Sequence, residues 1–149
     1  MNIRSFLIIF AMSSLLYSEE NFGIVVHGGA GVMTGLSEER QQQIHKKIQE
    51  TVSEAYEILE QGGSSFDAVE LAVSMLEDSP LFNAGRGSVY NSDEFQEMDA
   101  SIMDGKNRLS GAVASVSTVK NPIKLARKVA EETKHVLLVG EGAESFARD

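Results

Sequence analysis

The longest regular pattern in the sequence is a stretch in which apolar residues return at the helical spacing over about six turns. The residues of this stripe are Ile44, Ile48, Val52, Ala55, Ile58 and Leu59. Ser37, followed by two glutamates, is typical of the start of a helix, and Gly62 with Gly63 is typical of its end. A helix with an apolar stripe has to bury that stripe against another element. The pattern therefore predicts a layered protein and excludes a disordered chain.

The flanking patterns predict strands as well as helices. Short apolar runs at 23–27 and 135–139 predict two buried strands. Two extended segments, 96–104 and 111–119, are separated by the turn sequence 104–107 and predict a hairpin. Strands and helices in this order predict a layered α/β or α+β fold.

The remaining helices are predicted from their ends. Ser64 and Asp67 make a start that resembles a capping box, and the helix that follows is apolar on most sides, so we expect it to be buried. Asn121 is expected to cap a later helix, with Pro122 at its first position. The segment 140–142, which contains two glycines, is expected to interrupt the chain before a last helix begins.

Composition limits the kinds of function that the chain can have. Its 149 residues include 13 Lys and Arg against 22 Asp and Glu, which gives a formal net charge of −9. A chain of this charge repels phosphate backbones, so we expect no nucleic-acid partner. The sequence contains no cysteine. Disulfides, thiol catalysis and cysteine-ligated metal centres within this chain are therefore excluded.

Residues 1–18 have the pattern of an export signal. Arg4 supplies a positive start, and an apolar run extends from Phe6 to Met12. This run is shorter than the span of about 20 apolar residues that crosses a membrane, so it predicts a signal peptide over residues 1–18 and no stable membrane span. An uncleaved anchor or a buried start is the alternative. We therefore expect an exported protein, periplasmic or secreted, with its folded part in residues 19–149.

Three clusters of glycines and polar residues are candidates for chemistry. The first, 27–31, reads HGGAG, but it lacks the third glycine of a dinucleotide fingerprint, and the chain has no G-x-S-x-G nucleophile turn. A tight turn after a strand is the remaining interpretation of this cluster taken alone. The second, 81–88, combines Asn83 with two glycines that allow backbone carbonyls to converge. The third, 98–105, places two aspartates five residues apart, hence on opposite faces of a strand.

Taken together and in order, these segments resemble one family. The segments are HGGAG, GGSSFDAVELAVSMLEDSPLFNAGRGSVYN, EMDASIMDG, GAVASVSTVKNPIKLARKV and HVLLVGEGAESFA. They are similar to the plant-type L-asparaginases and isoaspartyl aminopeptidases, which are threonine-type N-terminal nucleophile hydrolases, over about Gly23 to Asp149. Glycosylasparaginases and taspase are poorer matches. The resemblance implies an α+β fold, namely the N-terminal part of a four-layer αββα sandwich.

The resemblance also implies a reaction and a nucleophile. Members cut themselves before a threonine, whose hydroxyl then attacks L-asparagine or a β-aspartyl (isoaspartyl) dipeptide while its own amine acts as the base. None of Thr34, Thr51, Thr118 and Thr133 lies in the family's G-T-V-G-like segment. We therefore expect this chain to contribute the α-subunit portion, with no catalytic nucleophile of its own.

The residues that the resemblance does carry over support the site. His27, Gly28 and Gly29 match the loop beside the nucleophile, and Asn83 matches an asparagine near the active site. For His27, fixing a turn by hydrogen bonds is the equal alternative. The resemblance implies no cofactor for catalysis but a structural sodium ion, held mainly by backbone carbonyls of Leu76, Glu77, Ser79, Phe82, Ala84 and Arg86. Arg86 is not expected to be the substrate-clamping arginine.

The implied partners are the missing C-terminal (β-subunit) segment, a small-molecule substrate, and a second αβ heterodimer that completes a dimer. A truncated, non-catalytic paralogue or binding protein is the main alternative, and a ligand-binding α/β domain is a more remote one. Because both halves of the sandwich share a core, we expect this part alone to expose apolar side chains. We expect this exposure at Val113, Val116, Leu137 and Val139.

Overall fold

The computed structural model describes residues 22–31 and 35–148. The predicted signal peptide, residues 1–18, lies outside the described residues. The elements follow the chain as helices α1 (Glu38–Glu60) and α2 (Ser65–Glu77), a 3₁₀ turn (Gly85–Gly87), strands β1 (Met98–Asp104) and β2 (Leu109–Val116), helix α3 (Pro122–Glu132), strand β3 (Leu138–Val139) and helix α4 (Gly140–Arg148). The fold is α+β, and no described helix has the length and apolarity needed to cross a membrane.

Side-chain caps fix the starts of the first two helices where the sequence predicts them. The Ser37 hydroxyl accepts the Arg40 N–H at 3.2 Å at the start of α1. At the start of α2, the Ser64 hydroxyl accepts the Asp67 N–H at 3.1 Å and donates to the Asp67 carboxylate at 2.6 Å. Each cap satisfies a backbone donor that has no partner within the helix. Both predicted starts are confirmed.

The predicted hairpin forms the centre of the sheet. Strands β1 and β2 pair antiparallel, with Ala100 opposite Val113, and β3 adds to β2 in parallel, so the strand order is β1-β2-β3. Helix α3 packs on one face of this sheet, and α4 adds Ala143 to the same core. A second cluster lies between α1 and α2 and contains Ala55, Ala68 and Ala72.

The predicted strand at 23–27 is wrong. The segment forms no strand, and Val25 is 96% exposed, whereas Ile24 and Val26 pack against the cluster between α1 and α2. Alternating exposure of this kind is that of an extended segment with one face buried. A β-branched run favours an extended conformation, but a strand also needs a neighbour to take its backbone hydrogen bonds. The described residues provide none for this segment.

The predictions for 135–142 are only partly correct. The strand covers Leu138–Val139 alone, and Val136 is exposed. Helix α4 begins at Gly140, so the glycines make its first turn and do not interrupt the chain. Gly140 has a φ of +55°, a conformation that glycine adopts without steric cost, and this allows the strand to turn directly into the helix.

The expected exposure of apolar side chains is correct at the edge of the sheet and wrong at its centre. Leu137 and Val139 are 48% and 54% exposed, but Val113 and Val116 are 1% and 0% exposed. The reason is that α3, from the same chain, already covers the face of β2 that carries these two valines.

Asn121 is at the predicted cap position of α3, but its side chain donates to Asp78 and does not cap the helix.

Arg127 joins α3 to α2 through a small charge network. Its guanidinium donates to Asp67 and Glu70 at 2.7 Å each and to Glu131 at 3.0 Å, and it lies over the Phe66 ring. The hydrogen bond from the Ser64 hydroxyl, followed by the one from Arg127, lowers the pKa of Asp67. Asp67 therefore belongs both to the cap of α2 and to the contact between α2 and α3.

The lowered pKa of Asp67 predicts an acid-dependent loss of stability. A carboxyl whose pKa is lower in the folded state stabilises the fold above its unfolded pKa of about 3.9, and this contribution disappears as the pH falls through the lower folded value. We expect D67N to be less stable than the wild type at pH 6, and the difference to shrink below about pH 4. Urea unfolding at a series of pH values checks this. A difference that stays constant down to pH 2.5 would contradict it.

Candidate functional site

A cavity of about 720 Å³ brings the first two glycine clusters together. Its wall includes His27, Gly28 and Gly29 from the first cluster and Asn83 from the second. Most of the rest of the wall is apolar and includes Ile44, Val73, Leu76, Leu81 and Phe82, while Arg40 is its charged residue. All four residues predicted to support an active site therefore meet in one concave space. Polar groups converging in an apolar cavity are typical of a small-molecule site.

The HGGAG turn is held by its own histidine. The His27 Nδ1 atom accepts the Gly29 N–H at 3.1 Å, so in the neutral ring the proton is on Nε2. Gly29 has a φ of +96°, which side-chain-bearing residues rarely adopt. A Cβ on Gly28 would approach the Phe82 ring to 3.0 Å. The geometry thus agrees with the interpretation of His27 as a turn-fixing residue, and the two glycines let the backbone approach the cavity.

Asn83 closes the loop that follows α2. Its Oδ1 atom accepts the Val89 N–H at 2.9 Å, which ties the start of the 3₁₀ turn to the chain leaving it. Across the described part of the chain, its Nδ2 group has no hydrogen-bond partner and remains available as a donor. Asn83 also lines a second cavity of about 340 Å³, together with Glu77 and Ser88. The asparagine therefore faces both spaces around the loop.

Backbone carbonyls lie close to the two glycines in the segment from Leu76 to Arg86. A Cβ on Gly85 would lie 2.5 Å from the Glu77 carbonyl oxygen, and one on Gly87 would lie 3.0 Å from that of Ser79 and closer still to that of Phe82. Three of the six carbonyls named from the resemblance thus surround the two glycines. The carbonyls of Leu76 and Ala84 each accept a backbone N–H at 3.0–3.1 Å and keep a second lone pair.

These donors fit a cation that prefers neutral oxygen ligands. Backbone carbonyls are suitable ligands for hard cations, and side-chain identity matters little at such positions. In the ranges 22–31 and 35–148, no group of three or more His, Asp or Glu residues is arranged to hold a metal ion. An ion in this part of the chain would therefore depend on the carbonyls of the loop.

Glu77 is a feature of this loop that sequence reasoning treated only as a backbone ligand. Its side chain is 3% exposed, and its Oε1 atom accepts the Ile123 N–H at the start of α3 at 3.0 Å. Its Oε2 atom is buried and has no hydrogen-bond partner among the described residues. Burial raises the pKa of Glu77, while the bond from Ile123 acts in the opposite direction. A glutamate in the last turn of a helix interacts unfavourably with the helix dipole. This unfavourable placement is the feature of the sequence that points to a role for the Glu77 side chain.

The other candidate residues lie apart from the main cavity. Arg86 is exposed and lines a separate cavity of about 450 Å³ with Lys120. Asp99 is exposed and accepts the Ser115 N–H at 2.9 Å, whereas Asp104 is buried and accepts the Lys106 N–H at 2.9 Å. The two aspartates are on opposite faces of β1, as predicted, so they make no joint site.

Each threonine hydroxyl that the structure describes makes a hydrogen bond within the chain. Thr51 is buried and donates to the Lys47 carbonyl at 2.8 Å, and Thr133 donates to the Val129 carbonyl at 2.9 Å. The Thr118 hydroxyl bonds to the Glu144 carboxylate. These geometries are those of structural threonines on helices and loops. Thr34 lies outside the described residues.

Comparison with known proteins gives one consistent family. The sequence model of the family described as asparaginase matches residues 20–149. The isoaspartyl peptidase/L-asparaginase of Rattus norvegicus is 52% identical over 126 residues, which are 85% of this chain and 37% of the relative. The plant-type L-asparaginase of Pyrococcus furiosus is 55% identical over 125 residues, which are 84% of this chain and 40% of the relative. The chain thus spans about two fifths of the length of these relatives.

Proposed function

The chain belongs to the asparaginase family, and from this we propose that it forms the N-terminal (α-subunit) portion of an amidohydrolase acting on L-asparagine, β-aspartyl dipeptides or both. The observation that carries the proposal is the cavity in which His27, Gly28, Gly29 and Asn83 meet. Asn83 lies far from residues 27–29 in sequence, and the two segments have no reason to share a cavity if each only shapes its own loop. The names of the relatives supply the substrate class.

The nucleophile of the proposed reaction is a threonine in a segment outside these 149 residues. Its hydroxyl oxygen attacks the amide carbon while its own amine takes the proton. The amine then passes this proton to the leaving nitrogen as the C–N bond breaks, which releases ammonia or an amino acid. Water then hydrolyses the threonine ester. In this scheme the present chain contributes a largely apolar wall, backbone groups of the glycine turn, and the free donor of Asn83, which suits a developing oxyanion or a substrate carbonyl.

The four-layer sandwich is part of the same proposal. One face of the β1-β2-β3 sheet is covered by α3, and its other face carries small or exposed side chains, such as Ser101, Ala112 and Ala114. A face of this kind suits the packing of a second sheet, which the threonine-bearing segment would complete. The half-exposed edge at Leu137 and Val139 is compatible with additional contacts there. Assembly as a dimer of αβ heterodimers belongs to the proposal by family resemblance, and export belongs to it on the signal-like pattern of residues 1–18.

The proposal includes a structural sodium ion and no catalytic cofactor. The ion would be held by the carbonyls of the loop between α2 and the 3₁₀ turn, where Gly85 and Gly87 leave room for oxygen atoms to converge. Its effect would be to fix the conformation of that loop. Because Asn83 lies in the middle of the loop, the ion would act on the site through the position of this side chain.

A chimera tests the proposed function. Residues 20–149 are joined to the C-terminal remainder of the Pyrococcus furiosus plant-type L-asparaginase, and release of ammonia from L-asparagine and of aspartate from a β-aspartyl dipeptide is measured. We expect turnover of at least one substrate, and a loss of about 10³-fold or more when the nucleophilic threonine is replaced by alanine. A chimera that melts cooperatively but turns over neither substrate would favour the non-catalytic paralogue.

A further inference from the structure

The last residue of α2, beside the loop that leads to the 3₁₀ turn, carries a buried carboxylate with one unpaired oxygen among the described residues. Glu77 is 3% exposed, and the donor that reaches its Oε1 atom is the neutral N–H of Ile123. Its Oε2 atom is buried without a partner among the described residues. A buried carboxylate is costly unless a positive charge compensates it. When ionised, Glu77 would therefore be stabilised by a cation close to its carboxylate.

Among the described residues, no neighbouring charge forms an ion pair with this carboxylate. Lys120 pairs with Asp78 at 3.0 Å, and Asn121 donates to the same carboxylate at 3.1 Å, so the adjacent acid has its own partners. Lys124, on the first turn of α3, is exposed and makes no ion pair with Glu77 within the described part of the chain. The N-terminus of α3 offers partial positive charge to Oε1, and Asn121 and Lys124 also favour the ionised form, but Oε2 makes no hydrogen bond among the described residues.

The proposed cation site and the Glu77 side chain meet around Gly85, because Glu77 and Ala84 line one cavity and a Cβ on Gly85 would lie 2.6 Å from the Glu77 Cβ. The carbonyl oxygen of Glu77 is itself one of the converging donors, at 2.5 Å from the position that a Cβ on Gly85 would take. The six carbonyls of the loop are neutral, so a monovalent ion bound by them would remain a buried, uncompensated charge. The proposed cation and the carboxylate carry opposite charges, so each would reduce the cost of burying the other.

We propose that the side chain of Glu77 supplies the counter-charge for the cation of this loop, and thereby links the loop to the start of α3. This inference rests on the ion of the proposed function. At a separation of several ångströms in a partly buried site, loss of one unit charge changes ion affinity by about tenfold or more. The carboxylate would then act as a positioning group for Asn83, because it secures the ion that fixes the loop.

Cation-dependent thermal unfolding of the full chain tests the inference. NaCl and KCl are titrated separately, with choline chloride keeping the ionic strength constant, and apparent dissociation constants are obtained from the rise of the melting temperature. Broadening of the ²³Na resonance gives a second measure of binding that does not depend on unfolding. For the wild type we expect stabilisation by an alkali cation and none by choline, and the two titrations decide between Na⁺ and K⁺.

The informative variant is E77Q, because glutamine keeps an acceptor for the Ile123 N–H but removes the charge. We expect its apparent dissociation constant for the cation to rise at least tenfold. The matched control is E54Q, on the exposed side of α1, which makes the same charge change and should bind as the wild type does. E77D keeps the charge and should stay within about threefold of the wild type.

Each outcome decides a separate question. Equal cation affinity in E77Q and the wild type would overturn the role of Glu77 and leave the ion site standing. A wild type that responds to neither cation would overturn both, while turnover by the chimera still tests the hydrolase independently. If E77Q does not fold at any salt concentration, E77D decides: retained affinity supports the charge account, and a loss of tenfold or more contradicts it.

Discussion

Replacing Gly111 by valine is expected to destabilise the fold by about 3 kcal/mol or more, enough to unfold a marginally stable chain. Gly111 lies in β2, directly under α3. A Cβ at this position would be 2.5 Å from the backbone nitrogen of Ala130 and even closer to the carbonyl oxygen of Ala126. Because these are backbone atoms of a helix, they cannot move aside as a flexible side chain can. The whole helix would have to lift from the sheet.

Urea or guanidinium unfolding monitored by circular dichroism measures the effect of G111V. The control is G142A, since a Cβ on Gly142 meets no atom within 4 Å and the residue is in the first turn of α4. We expect G142A to be neutral or slightly stabilising, because alanine favours a helix over glycine. A G111V variant with the stability of the wild type would show that α3 does not lie this close to β2.

Replacing Gly87 by alanine is expected to have the second large effect, which falls on the loop and not on the core. The added Cβ would collide with the carbonyl oxygen of Phe82 and lie 3.0 Å from that of Ser79. These oxygens are the donors that the proposed ion needs, so displacing them should abolish the cation-dependent rise in melting temperature. In the chimera, the displaced loop should also misplace Asn83 and lower kcat/KM by about 10²-fold, as small misplacements of catalytic groups do.

Gly105 provides the matched control for Gly87. It lies in the hairpin turn, and a Cβ there meets no atom within 4 Å. We expect G105A to keep the cation response, and in the chimera the full kcat/KM. If G87A also kept both, the carbonyls around this glycine would not be the donors of an ion site.

Much of the fold follows from local sequence chemistry. The starts of α1 and α2 are determined by Ser37 and Ser64, whose hydroxyls cap the helices as predicted. The hairpin of β1 and β2 follows from alternation and a turn signal. These features depend on contacts within a few residues, which is why a sequence without any comparison suffices to locate them.

The features that sequence reasoning placed wrongly depend on distant contacts. The run 23–27 has the composition of a strand, but pairing decides whether a strand forms, and no composition reports it. Val113 and Val116 were expected to be exposed, yet α3 of the same chain buries them. The prediction overlooked that one helix can cover one face of a sheet while the other face stays open.

In the candidate site, too, the local turns can be predicted from the sequence, whereas the contacts between distant segments cannot. Spacing alone left the HGGAG cluster as a tight turn, and the family resemblance was needed to connect it with Asn83. The structure brings both to one cavity. The role of the Glu77 side chain depends on its burial against α3, which the sequence does not report, although an acidic residue at the end of α2 is locally unfavourable and marks the position.

Turnover by the purified chain alone is the most direct test of the claim that it contributes the supporting part of the site and not the nucleophile. The chain is incubated with L-asparagine or a β-aspartyl dipeptide, and ammonia and aspartate are measured against a buffer blank, with the chimera as the positive reference. We predict no release above the blank from the chain alone and turnover from the chimera. Turnover by the 149-residue chain alone would contradict the claim.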